Sequence, residues 1–235
     1  MIGRAARASR SPGWLLAVDT ALREAGLLVA VAPDGEVLDG TEMAGGDREL
    51  AVRLAQLFLR HRGRLVAVVA GRGPGSYTGL RSGVAAALGA AQARGCPLRT
   101  CPSLQVTAAT VEPGGFPLLA IHPAGRGAHH RQLFRAGAGG WAPAGAAELV
   151  PRDRDPLGAP GGGARVACAD GVDPGVAAAA AAAAAPVVRG RAEALALVAA
   201  AVWRGGEGAA GDARDGGYRR VHLDYGAATA GPAWS

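Results

Sequence analysis

The stretch from Leu65 to Gly95 limits the possible folds of this chain more than any other. An apolar run, Leu65 to Ala70, meets the turn Gly71-Arg72-Gly73-Pro74-Gly75-Ser76-Tyr77-Thr78-Gly79-Leu80-Arg81, and an Ala-rich run from Ser82 to Arg94 follows it and stops at Gly95. Short apolar runs bounded by glycines read as buried strands, and Ala-rich runs as helices. A Gly-dense turn from strand to helix is where α/β proteins present ligand loops. Gly71, Gly73, Gly75 and Gly79 let another chain or a ligand come close, while Pro74 stiffens the turn. Ser76, Tyr77 and Thr78 add hydroxyls, and Arg81 a bidentate donor. Such a turn suits phosphate through its N–H groups and the helix dipole. A tight turn without any ligand is an equal alternative. It is not a P-loop, because no Lys follows the glycines. It is not GxGxxG, because Ser76 and Thr78 break that pattern. It is not a nucleophile elbow either, which would need Gly where Pro74 stands.

The elements before this turn set the order of the first half. Trp14 to Val18, ending in Asp19-Thr20, reads as a buried strand, Ala25 to Ala32 as a second, and Glu36 to Met43 as a third beyond the turn at Pro33-Asp34-Gly35. Asp47 reads as the N-cap of a helix reaching Arg62, with Leu50, Leu54, Leu57 and Phe58 on one face. Pro97 to Thr100 is a short strand, and Ser103 caps a helix to about Thr110. Three meandering strands followed by helix-linked strands match half of the fold shared by actin, sugar kinases and Hsp70. The second half is less regular. Phe116 to Ile121, Gln132 to Arg135 and Arg165 to Ala169 read as strands and Ala192 to Arg204 as a helix. The run Ala177 to Ala185 extends a helix or forms a low-complexity insertion. The expected organisation is therefore α/β: residues 1–12 a loose N-terminus, 13–110 an actin-like (ASKHA, ribonuclease H-like) first lobe, 111–205 a second, degenerate α/β lobe and 206–235 a flexible tail.

Composition removes several chemistries. The chain carries 25 basic and 19 acidic residues, a net charge of +6, and every basic residue is Arg. With no Lys, a Walker P-loop, a Schiff-base or pyridoxal enzyme and a kinase with a phosphate-binding Lys are excluded. The arginines are scattered, and the early cluster Arg4, Arg7 and Arg10 lies in the terminus, so the charge reads as surface solubility. Aromatics are only 4% of the chain, too few for the stacking platforms of a single-strand RNA reader. Cys96, Cys101 and Cys168 make no paired metal signature. No segment reads as a secretory signal or a membrane span, and a cytoplasmic protein is expected.

Gly73 to Arg81, GPGSYTGLR, resembles the signature of the TsaB (YeaZ-like) family, and the resemblance runs from LLAVDTA at Leu15 to Ala21 through PSLQVTAAT at Pro102 to Thr110. It implies an actin-like fold and a non-catalytic, accessory dimerisation subunit. Such a subunit pairs with a catalytic TsaD-like subunit and works with a TsaE-like ATPase. The complex moves threonylcarbamoyl onto N6 of adenosine 37 in tRNAs reading codons that begin with A. A homodimer is the other pairing implied, and tRNA would be met only through the complex. The resemblance implies no catalytic residue, no metal and no cofactor of the chain's own, with a nucleotide at the partner interface left open. The chain departs from the family pattern in three places: Ala21 follows Asp-Thr where Ser is usual, Gly46-Asp47 replaces His-Ser, and His122 to Arg126 replaces an Asp-Ala-Arg segment. Two other classes stay open, an independent actin-like ATPase or peptidase and an RNA-binding module.

Other residues carry two readings each. Asp19 with Thr20 stands where actin-like ATPases hold a metal-bridging carboxylate, so it is either a degenerate phosphate or metal site or a strand-end carboxylate bonding nearby backbone. His122, His129 and His130, with Arg126, Arg131 and Arg135, read as a solvated loop ahead of RNA-backbone contact, with metal third. Cys96 and Cys101 read as small buried hydrophobes. His61 reads as a helix-end residue that favours the dipole. Gly83, Ala86, Ala90 and Ala93 place small residues at helical spacing, and together with Leu50, Leu54 and Leu57 they make the expected partner interface.

Overall fold

The computed structural model describes residues 13–44, 49–125, 127–155, 157–158, 163–205 and 223. Asp47, Arg126 and the N-terminal arginines lie outside the described residues. The first sheet joins β1 (Trp14–Asp19), β2 (Ala25–Val31), β3 (Val37–Ala44), β4 (Leu65–Gly71) and β5 (Leu98–Cys101) in the order β3-β2-β1-β4-β5. The β1–β2 and β2–β3 pairs are antiparallel, whereas β4 lies parallel to β1 and to β5.

Both faces of this sheet are covered, which is why its central strands read as unbroken apolar runs rather than as alternating ones. Leu16, Val18, Leu28, Val68 and Ala70 point to a core roofed by α1 (Leu50–Arg60) and α2 (Tyr77–Arg94). Their neighbours Leu15, Ala17, Leu27, Val29, Ala67 and Val69 point to the opposite core, closed by α3 (Ser103–Ala108) and α5 (Arg191–Gly205). The sequence reading placed α5 in the second lobe, but it packs on the first sheet through Ala194, Leu195, Ala196, Val198 and Ala199. Helical spacing shows that α5 has a buried face and cannot show which sheet receives it.

The second sheet runs β10-β6-β7-β8, from β10 (Arg165–Cys168), β6 (Leu118–Gly125), β7 (Ala128–Gly137) and β8 (Gly140–Pro143), with β9 (Glu148–Val150) on β7. Leu104 and Ala108 of α3 share a core with Leu118, Ala120 and Phe134, so α3 is the wedge between the two sheets. The poly-Ala tract divides. α4 (Pro174–Ala181) is capped by the Asp173 carboxylate on Gly175 N–H at 2.9 Å, and the chain then leaves the helix to bridge Ala184 to Val166. Sequence reading missed β8 and β9, whose few residues carry no period.

Candidate functional site

The signature is half turn and half helix. Sequence reading began the helix at Ser82, but α2 starts at Tyr77, because Ser76 caps it by accepting from Gly79 N–H at 3.3 Å. Its glycines serve contact with the end of β1. A Cβ on Gly79 would run into the Thr20 carbonyl, and one on Gly83 into the Thr20 hydroxyl. Gly79 and Gly83 lie one helical turn apart, so together they form a groove that Thr20 fills. The Thr20 hydroxyl donates to the Gly79 carbonyl at 2.6 Å. Upstream, Ser76 N–H donates to the Ala21 carbonyl at 2.7 Å, and the Gly73–Pro74 peptide is cis. Leu80 is buried, while Tyr77, Thr78 and Arg81 are exposed, with the Arg81 guanidinium 4.6 Å from the Tyr77 ring.

Asp19 closes the same assembly. Its Oδ1 accepts from Ala21 N–H at 3.0 Å and from the Ser103 hydroxyl at 3.0 Å. Ser103 Oγ accepts Gly73 N–H at 3.2 Å, and Ser103 N–H returns to the Gly73 carbonyl at 2.8 Å. Ser103 is thus the first residue of α3, and its hydroxyl is engaged with Asp19 and Gly73. Of the two readings of Asp19, the one with nearby backbone bonds is what the geometry displays. Burial pushes its carboxyl above the usual range, opposed by Ala21 N–H, the Arg191 charge and the Ser103 hydroxyl.

Behind Asp19 lies a second buried pair. His122 Nε2 and Thr107 Oγ1 are 2.6 Å apart. Burial lowers the His122 pKa to about 3, helped by the charge of Arg191 and by His130 and opposed by the backbone of Pro74. Ser103, Thr107, His122 and Asp19 gather the residue types of a hydrolytic triad without its arrangement. Ser103 bonds the carboxylate directly, the imidazole meets a different hydroxyl, and all four are buried. A nucleophile must reach its substrate, and the Ser103 and Thr107 hydroxyls belong to buried residues. Sequence reading gave Arg191 no role. Its approach to Asp19 spans the chain, and no local pattern signals it.

A cleft of about 690 Å³ opens between the sheets beside this network, lined by Arg23, Glu24, Ser76, Tyr77, His130 and Asp170 among others. Its charged groups are mixed in sign. The N–H groups of Gly73, Ser76 and Gly79 are all engaged within the chain, so the turn does not aim them at a phosphate.

The histidines correct the sequence reading of a solvated loop. His122 is on β6 and His129 and His130 are on β7, joined by a turn at Gly127, and all three are buried. His122 pairs with His130 across the ladder. The glycines flanking the segment belong to a hairpin. Among the described residues no group of three His, Cys, Asp or Glu side chains could hold a metal ion. Cys96 and Cys101 are buried and form no disulfide with each other, and burial raises the Cys101 thiol above its ordinary range. His61 lies 3.2 Å from Asp39 Oδ2, which Arg60 also contacts at 2.6 Å. Slight burial raises the Asp39 carboxyl, but the bonds and charges of Arg60 and His61 outweigh it and leave the group below its usual range.

The residues expected at a partner interface divide by burial. Leu50, Leu57, Gly83 and Ala90 face inward and are buried within this chain, Leu54 and Ala86 are half-buried, and Ala93 is exposed. Neighbouring positions point outward instead. Val52 and Leu59 of α1 are 60% and 67% exposed, and Ala85 and Gly89 of α2 are exposed beside Ala93. In an Ala-rich helix periodicity is nearly flat, so one face cannot be told from the next. The signal that existed was Gly79 with Gly83: glycine where alanine suits a helix better implies a close neighbour.

A family model described as TsaD: tRNA N6-adenosine threonylcarbamoyltransferase matches residues 60–144, which is less than half of the chain. None of the curated proteins matches. Among solved structures, YeaZ from Pseudomonas aeruginosa is 20% identical with a TM-score of 0.63, covering 86% of this chain and 97% of that one. A second, an uncharacterized protein with similarity to peptidase YEAZ from Pseudomonas aeruginosa, is 21% identical with a TM-score of 0.61, covering 86% and 96%. No helix among the described residues is long and apolar enough to cross a membrane. Its fold matches that of YeaZ over most of its length, and residues 60–144 are similar to the threonylcarbamoyltransferase family.

Proposed function

We propose that this chain is the non-catalytic partner subunit of a complex that transfers threonylcarbamoyl to N6 of adenosine 37 in tRNA. One observation carries the reading. The N–H groups of Gly73, Ser76 and Gly79 are spent on Ser103, Ala21 and Ser76, so these groups of the signature turn fasten β1 to α2 and α3 rather than cradle a phosphate. The similarity to the threonylcarbamoyltransferase family supports the reaction. The buried, mispaired hydroxyls of Ser103 and Thr107 support an accessory role over that of a peptidase.

The outward faces of α1 and α2 are the docking surface in this reading. Exposed Val52 and Leu59 provide apolar area, and Ala85, Gly89 and Ala93 let a partner helix approach closely. The partner is a TsaD-like catalytic subunit, with a second copy of this chain as the competing occupant and a TsaE-like ATPase completing the complex. Any nucleotide sits at the joint interface. The test is co-purification with the TsaD-like protein of the same organism, followed by tRNA modification with and without this chain. Modification should require both proteins, and the isolated chain should not hydrolyse ATP. Robust ATP turnover by the pure chain, lost in Asp19→Ala, would identify an enzyme instead.

A further inference from the structure

The first lobe has a second cleft at the end of the sheet opposite the signature. It is about 240 Å³ in volume and is lined by Arg62, Gly63, Arg64, Arg94, Gly95 and Pro97 among others, with no carboxylate among the described residues of its wall. The three arginines reach it from three places: the end of α1, the entry to β4 and the last turn of α2. All three are exposed, and none is ion-paired among the described residues, whereas Arg53, Arg60, Arg131 and Arg189 each hold a carboxylate. Asp39, the carboxylate that approaches α1 from β3, is already occupied by Arg60 and His61. Arg94 keeps its guanidinium 4.5 Å from the Phe58 ring, which fixes its position without neutralising it. The carboxyl end of α2 contributes about half a negative charge. Three guanidinium groups outweigh it.

The described chain enters the first sheet at this same edge, where Trp14 N–H donates to the Arg64 carbonyl at 2.9 Å. Arg4, Arg7 and Arg10 precede that point in the sequence. A small anion gains little from exposed arginines in water. A polyanion gains from each contact by releasing counterions. We infer that the Arg62–Arg64–Arg94 cleft is a phosphodiester-binding surface through which this chain contacts the backbone of RNA directly. The contact is independent of base identity, because guanidinium groups facing phosphates carry no sequence code. It goes beyond the subunit reading and stands apart from it. A chain that binds RNA here yet supports no tRNA modification fails only the subunit reading.

The experiment is fluorescence anisotropy of a labelled tRNA transcript with the isolated full-length chain over a range of KCl concentrations. Replacing Arg62, Arg64 and Arg94 by Gln should weaken binding about tenfold or more at moderate salt. It should also lower the slope of log affinity against log salt by roughly two to three, at about 0.7–0.9 per lost phosphate contact. Arg62→Gln with Arg64→Gln, which leaves Arg94 on Phe58, should lower the slope by about one to two. The control Arg135→Gln, Arg152→Gln, Arg154→Gln removes the same charge from the second lobe and should change binding far less. Equal losses in the two triple variants, or no RNA binding by the unaltered chain, would overturn the inference. Orthophosphate is the other arm: if it raises the melting temperature of the unaltered chain but not of the first triple variant, while RNA does not bind, the cleft serves a small anion and the RNA assignment fails.

Discussion

Thr20 occupies the space that a side chain at Gly83 would need, and its hydroxyl donates to the Gly79 carbonyl at 2.6 Å. The contact joins the end of β1 to the first turns of α2. It shows what the glycines of the signature do: they seat a neighbouring strand end against a helix.

Gly83→Ala should therefore destabilise the protein by about 1–3 kcal/mol through overpacking, although alanine is the better helix former by about 1 kcal/mol. Gly89→Ala provides the contrast, because a Cβ there meets nothing within 4 Å. It should raise stability by about 0.5–1 kcal/mol. Urea unfolding of both variants checks this, and adding Thr20→Ala to Gly83→Ala should recover part of the loss. Equal effects at the two glycines would refute the wedge.

The Ser103 hydroxyl ties Asp19 to Gly73. Ser103→Ala leaves Gly73 N–H and one bond of a buried carboxyl without a partner, and the expected cost is about 1–3 kcal/mol with the fold retained. Circular dichroism and thermal unfolding measure it. A loss no larger than that of a typical surface substitution would show the network to be unimportant.

His122 sets a pH dependence. Its folded pKa, about 3, lies below its ordinary 6.5, so the unfolded chain binds the extra proton first as pH falls. Its contribution is complete above about pH 6.5 and is lost progressively as pH falls toward about 3, at up to about 1.4 kcal/mol per pH unit. Denaturant unfolding from pH 7 to pH 4 should show the decline, and His122→Gln should flatten it. An unchanged slope in the variant would assign the acid sensitivity elsewhere. Asp19 acts with the opposite sign, since a carboxyl raised by burial favours the folded state at low pH.

The two faces of α2 should respond differently to charge. Ala90 is buried against the first sheet, so Ala90→Arg should unfold or strongly destabilise the chain, by several kcal/mol for a buried unpaired charge. Gly89 points to open space, so Gly89→Arg should leave the melting temperature nearly unchanged and weaken association with the TsaD-like protein at least about tenfold. Pull-down and size exclusion read the difference. A folded Gly89→Arg chain that binds like the unaltered one would place the partner elsewhere.

The first lobe was legible because its signals are local. Leu15 to Val18 and Leu65 to Ala70 are unbroken apolar runs, as a sheet covered on both faces requires, and Gly95 ends α2 in the left-handed conformation at φ +58°. The second lobe was less legible because β8 and β9 are only four and three residues long, and the alanine tract satisfies helix and extended bridge alike. In the candidate site, Asp19 and the signature stand out in the sequence, whereas the helix-start position of Ser103 does not reveal its bond to Asp19, and no local pattern links Arg191 to that carboxylate.

The sequence by itself determined that a strand gives way to a helix between Gly71 and Gly83, that the chain has no Lys for phosphate chemistry, and which segment resembles the TsaB family. Tertiary structure alone decided which side of each element faces in. It turned Gly83 and Ala90 toward the sheet, buried His122, His129 and His130 in a hairpin, and carried α5 back to the first sheet, where the charge of Arg191 acts on Asp19. The reason is range. Propensity, capping and apolar period act over a few residues, whereas the burial of an Ala-rich helix face, the ionisation of a carboxyl and the route of a hydroxyl depend on neighbours the chain brings together only when it closes.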